Sequence, residues 1–124
     1  MTIAEVISKV DALKPNTYSI AEKVAWLTSL DARISTQIIS EHDGGDNLWF
    51  GGYDSELDLE TELLAHTPYD EMYLWWLEAM IDYHNNEDER YNNSIMMFNN
   101  DYESYKKHYT RTHMPKSAGS RFIF

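Results

Sequence analysis

The stretch "TPYDEMYLWWLEAMIDYH", residues 67 to 84, constrains the fold more than any other. From Tyr69 to Tyr83 nearly every position is apolar or aromatic. Successive helical residues lie about 100° apart around the axis, so Trp75 and Trp76 cannot face one neighbour together. A helix that is apolar on several sides must be buried on several sides, and the rest of the chain has to cover it. Its predicted start has Thr67 as N-cap, Pro68 at the first helical position, where a missing N–H costs nothing, and Asp70 near the positive end of the helix dipole.

Two helices precede it, each opened by a capping box in which a Ser or Thr and a Glu three residues later satisfy each other's backbone donors. The first is "TIAE", Thr2 and Glu5, followed by Ile3, Val6, Ile7, Val10 and Leu13 at helical spacing. It stops at "KPN", because Pro15 drives Lys14 out of the α region. The second is "SIAE", Ser19 and Glu22, with a seam of Val24, Leu27, Leu30, Ile34 and Ile38 running about five turns towards "DGG".

From Gly44 to Thr67 no period persists, and "LDLETELL" reads equally as a short helix or a strand. The glycines around "DNLWF" suit a hairpin or a projecting loop, so Leu48, Trp49, Phe50 and Tyr53 either fold back on the core or contact another protein. After the central helix, Tyr91, Ile95, Phe98, Tyr102, Tyr105 and Tyr109 step by four and three, a coiled-coil-like seam. A similar seam ending at Tyr91 meets it out of register, and the asparagines at 85 and 86 favour a break near "HNNE". Tyrosine keeps a hydroxyl near water or a partner, so Tyr102, Tyr105 and Tyr109 serve either a helix contact within the chain or a subunit interface. The pattern predicts an all-α fold: a small bundle of about four helices with a long Gly-rich loop, residues 43–67, between helices 2 and 3. Residues 1–113 are expected to form one helical domain, with 114–124 as an irregular C-terminal tail whose Arg121, Phe122 and Phe124 are too apolar a group for a purely solubilising extension.

Charge narrows the function. Lys and Arg number 10 against 21 Asp and Glu, for a net charge of -11. This argues against phosphate-backbone binding, which depends on basic side chains displacing counterions. Up to Glu103 there are five basic and all 21 acidic side chains, -16, while the remainder carries five basic ones, +5. Such a chain is expected to hold its own basic tail or to pair head to tail with a copy of itself. Cysteine is absent, which removes disulfides, thiolate metal sites and a cysteine nucleophile. Apolar runs fall far short of the roughly 20 residues that span a bilayer, and no basic segment leads into an apolar one at the N-terminus, so a soluble cytoplasmic protein is expected.

No phosphate loop, His-Glu-x-x-His or nucleophile-elbow pattern is present. A di-iron bundle needs paired Glu-x-x-His motifs, and none occurs; the reversed pair His84 and Glu87 is the nearest approach. Glu71, Glu78, Asp82 and Glu89, spaced 7, 4 and 7, fall on one stripe and read as the solvated face of the central helix. Neither a catalytic residue, nor a metal site, nor a cofactor is expected. The order of features, and above all "PYDEMYLWWLEAMIDYHNNEDERYNNS", resembles the head-tail connector (adaptor, neck) proteins of tailed bacteriophages and prophages. The resemblance implies an all-α subunit of a homo-oligomeric ring that joins portal and capsid to tail without catalysis. Its partners would be copies of itself, the portal and the tail-completion proteins, in the host cytoplasm during assembly and then in the virion neck. Residues 46–53 and 111–124 would reach neighbours. Two other classes stand beside it: an acidic DNA mimic that inhibits a host nucleic-acid enzyme, and a helical metalloenzyme built on His84 and Glu87.

Overall fold

The computed structural model describes residues 1–39 and 51–112. Among them lie four helices: α1 (Ile3–Leu13), α2 (Ile20–Gln37), α3 (Met72–His84) and α4 (Asp88–Thr112). The fold is a small all-α bundle, and no helix among these residues is long and apolar enough to cross a membrane.

Both capping boxes form. Thr2 accepts from the Glu5 N–H while the Glu5 carboxylate receives the Thr2 N–H, and Ser19 and Glu22 repeat the exchange. Lys14 is extended at the end of α1, as the following proline requires. The first N–H groups of α1 find a second set of partners: Ile3 donates to the Thr61 carbonyl at 3.1 Å and Ala4 to that of Leu59 at 2.8 Å, and Leu63 donates back to Met1. Thr2 and Glu62 thus form an isolated antiparallel bridge. "LDLETELL" is otherwise a run of turns.

The third helix begins at Met72, not behind an N-cap at Thr67, and the Thr67–Pro68 peptide is cis. The physical reason lies in Asp70. Its carboxylate accepts from the Met1 ammonium at 3.1 Å and from the Thr67 hydroxyl at 3.0 Å, inside the fold. It is therefore committed to the amino terminus rather than to the helix dipole, and residues 68–71 remain turns.

As its composition demands, α3 is central. Met72, Tyr73, Trp76, Leu77, Ala79, Ile81 and Asp82 are all buried, on several sides of the helix, by contacts with α1, α2 and α4. It ends at Asn85 and Asn86, the latter at φ 59°, a left-handed conformation that asparagine tolerates. The expected break thus falls within "HNNE", and Asp88 and Glu89 start α4 at its positive dipole end. Three ring contacts show that α4 runs back antiparallel along α3: Tyr83 with Tyr91, Trp76 with Phe98 and Tyr69 with Tyr105. The core collects side chains from all four helices together with Leu63 and Ala65. Part of the predicted loop, residues 43–50, and the whole predicted tail, residues 114–124, lie outside the described residues.

Candidate functional site

The residues singled out in the sequence fall into three groups. Leu48, Trp49, Phe50, Arg121, Phe122 and Phe124 lie outside the described residues. Tyr102 and Tyr105 are buried in the α3–α4 contact, and Tyr109 is half-buried beside them. The Tyr102 hydroxyl donates to the Gln37 side chain at 3.0 Å, and Tyr105 packs on Tyr69. The seam thus serves the bundle. Tyr53 is half-buried as well, and its hydroxyl donates to Asp31 on α2. Of the two readings of that loop, this residue takes the inward one.

Tyr53 reveals a polar centre that sequence reasoning passed over. The Asp31 side chain is fully buried and accepts from the Tyr53 hydroxyl, from the Tyr73 hydroxyl at 2.6 Å and from the Leu64 N–H at 3.1 Å. Tyr73 in turn accepts from the Ala65 N–H at 2.9 Å. One carboxylate therefore ties residues 53–65 and α3 to α2. Burial pushes the Asp31 carboxyl above its ordinary range, with the three hydrogen bonds opposing. Burial and the Asp31 charge both hold the Tyr53 and Tyr73 hydroxyls protonated. A signal for Asp31 existed: it stands four residues after Leu27 and three before Ile34, on the seam that α2 turns to the core.

The expected solvated stripe needs correction. Glu71 and Glu89 are exposed and Glu78 is half-buried, but Asp82 is completely enclosed. Lys14, set free where α1 ends, reaches it at 2.6 Å, and Ser94 of α4 donates to it at 3.3 Å. A charge brought from another helix converts a polar face into a buried ion pair. Glu78, one turn away, has its carboxyl raised chiefly by burial.

His84 and Glu87 do not act together. The His84 Nδ1 lies 2.8 Å from the Met80 carbonyl, and Glu87 pairs with Arg90 at 3.6 Å. Among the described residues no group of three or more His, Asp and Glu side chains is placed to share a metal ion. His84 belongs instead to an aromatic surface at the end of the bundle where α1 stops, α2 starts and α3 hands over to α4. Its ring stacks on Trp26 with centroids 5.2 Å apart, and Tyr18 meets both rings edge-on. Tyr83 continues the surface to Tyr91. The Tyr18 hydroxyl donates to Asn85 at 2.7 Å, which holds the α1–α2 connection to the α3–α4 turn. Comparison with protein-family models, with curated proteins and with solved structures finds no match to this chain.

Proposed function

We propose that the protein is a non-catalytic assembly subunit that associates head to tail, acting as a phage head-tail connector between portal and tail. One observation carries this reading: the way the cations are spent. In the acidic body Lys14 pairs with Asp82, Lys23 with Asp11 at 2.8 Å and Arg90 with Glu87, and Arg33 lies over the Trp76 ring at 5.3 Å. Exposed carboxylates are left over, among them Glu5, Glu22, Glu56, Glu60, Glu71, Asp88 and Glu89. At the far end of α4, Lys106, Lys107 and Arg111 stand exposed. Of these carboxylates Glu22, Asp88 and Glu89 stand at the starts of α2 and α4, away from the basic end of α4, and such unlike ends favour a heterologous contact, which closes into a ring or continues as a filament.

The test is electron microscopy of the protein mixed with the portal particles encoded alongside it. Rings on the portal are expected for the wild type. Deleting residues 121–124, or replacing Trp49 and Phe50 by Ser, is expected to impair them while helix content stays intact. Failure of the wild type to decorate portal would overturn the connector role. The same surplus of surface carboxylates supports a DNA mimic as the second reading. That reading predicts salt-sensitive capture of a nucleic-acid enzyme by a monomer or dimer, with no affinity for portal.

A further inference from the structure

Five large apolar side chains are mainly exposed among the described residues, and three of them gather at the aromatic end: Leu13 at 68%, Ile20 at 49% and Tyr83 at 61%. Leu13 closes α1 beside Lys14, which reaches Asp82 on the last turn of α3; Ile20 opens α2; Tyr83 flanks His84. They share this end of the bundle with the ring cluster of Tyr18, Trp26, Tyr83, His84 and Tyr91, a gathering of apolar groups that has the composition of an interaction site rather than of idle surface. Glu22, Asp88 and Glu89 are exposed at the starts of α2 and α4 beside it, and the basic residues near it, Lys14 and Arg90, are paired with Asp82 and Glu87.

Those acids select the occupant. Two copies joined through the same surface would set these acids against each other. An occupant that brings cations and aromatic rings together fits instead, because a guanidinium over aromatic faces gains both from the rings and from nearby carboxylates. The sequence holds one such segment, "RFIF" at 121–124, with Lys116 shortly before it. Its own chain brings Arg121 to this surface only at the limit of its length. Tyr91 lies 21 residues before Thr112 in α4, about 32 Å along the axis at ~1.5 Å per residue. The nine residues from Thr112 to Arg121 cover at most roughly 32 Å when fully extended, so Arg121 of the same chain would reach the surface only at full extension. A second copy can present the segment without that demand.

We infer that the aromatic end formed by Tyr18, Ile20, Trp26, Tyr83 and His84 receives residues 121–124 of a second copy of the chain, with Arg121 over the rings and Phe122 and Phe124 against Ile20 and Tyr83. The inference rests on the head-to-tail reading above and names its contact. Each subunit offers the receptor at one end of α4 and the ligand beyond the other, so the contact repeats without using itself up.

The test is fluorescence anisotropy of a labelled peptide of residues 113–124 titrated with the full chain carrying Phe122→Ser and Phe124→Ser, which disables the chain's own segment. Saturable binding is expected, weakened about tenfold or more by Tyr83→Ser with Ile20→Ser in the protein, by Arg121→Glu in the peptide, and by salt. Far-UV circular dichroism checks that the receptor variant keeps its helices, and the peptide variant reports on the same contact with the receptor intact. Lack of saturable binding up to about 1 mM, or equal binding to the receptor variant, overturns the inference. Portal-bound rings formed normally by the Tyr83→Ser, Ile20→Ser variant would overturn this contact and leave the assembly role standing. Peptide binding without rings on portal would support the contact and overturn the connector role.

Discussion

Two buried aspartates carry opposite arrangements. Asp82 has a cation, Lys14, and Asp31 has only neutral donors. Replacing Lys14 by Met leaves the Asp82 charge enclosed with the Ser94 hydroxyl alone, and is expected to lower unfolding free energy by about 3 kcal/mol, read from urea denaturation. Adding Asp82→Leu should restore most of the loss, because removing both charges of a buried pair is often close to neutral. Asp31 makes a different prediction. Its folded carboxyl keeps its proton to higher pH than the unfolded one, so folding takes up a proton in the window between the ordinary carboxylate range, about 4, and the raised folded value. Stability from this group is greatest below that window, falls as pH rises through it and is flat above it. The stability advantage of the wild type over Asp31→Asn should accordingly shrink as pH rises through the window, in denaturation curves taken at successive pH values; a constant difference would refute it. Local sequence could mark Asp31 through its place on the α2 seam. It could not mark Asp82 as buried, because the deciding partner, Lys14, comes from 68 residues away and leaves no trace in the period of α3.

The helices themselves were largely written in local patterns. Both capping boxes, the proline stop after α1 and the register clash near "HNNE" are short-range effects, and each appears where expected. Ser19→Ala should cost about 1 kcal/mol, measured by thermal unfolding, since it removes one half of a formed box. The start of α3 was misplaced because its signals, Thr67, Pro68 and Asp70, were claimed by a partner from the amino terminus. The seam of α4 was visible as a period, but a period does not say whether the facing helix belongs to the same chain. Here it does: Phe98 is 1% exposed against α3, whereas Met96, on the other face, is 54% exposed. Phe98→Ala should therefore cost about 3–5 kcal/mol and Met96→Ala no more than about 0.5 kcal/mol, a contrast that chemical denaturation resolves directly.

At the scale of the whole molecule the division of charge dominates. Lys14, Lys23 and Arg90 of the body are each paired with a carboxylate, while all of the chain's acids lie at or before Glu103, so the body's surface is strongly acidic. Changing Lys106, Lys107 and Arg111 to Glu leaves the core untouched, since all three are exposed. The variant should keep its helical circular dichroism yet lose ring formation on portal in sedimentation. Wild-type rings should loosen as salt rises from about 0.1 M to 1 M, where the screening length drops from roughly 10 Å to 3 Å.

The pairing of the amino terminus with the middle of the chain also has a consequence for how the protein is born. The α1 helix is synthesised before the groups it pairs with: the carbonyls of Leu59 and Thr61 that receive its leading N–H groups, and the Asp70 carboxylate that holds the Met1 ammonium 69 residues away, emerge much later. At roughly 5–20 residues per second the ribosome needs several seconds to cover that distance. An isolated helix of 11 residues is marginal in water, so during that interval the opening helix waits as a fluctuating segment. The native partners of its first turn, and the central helix α3 that the bundle packs around, are available only once residues 59–84 have emerged.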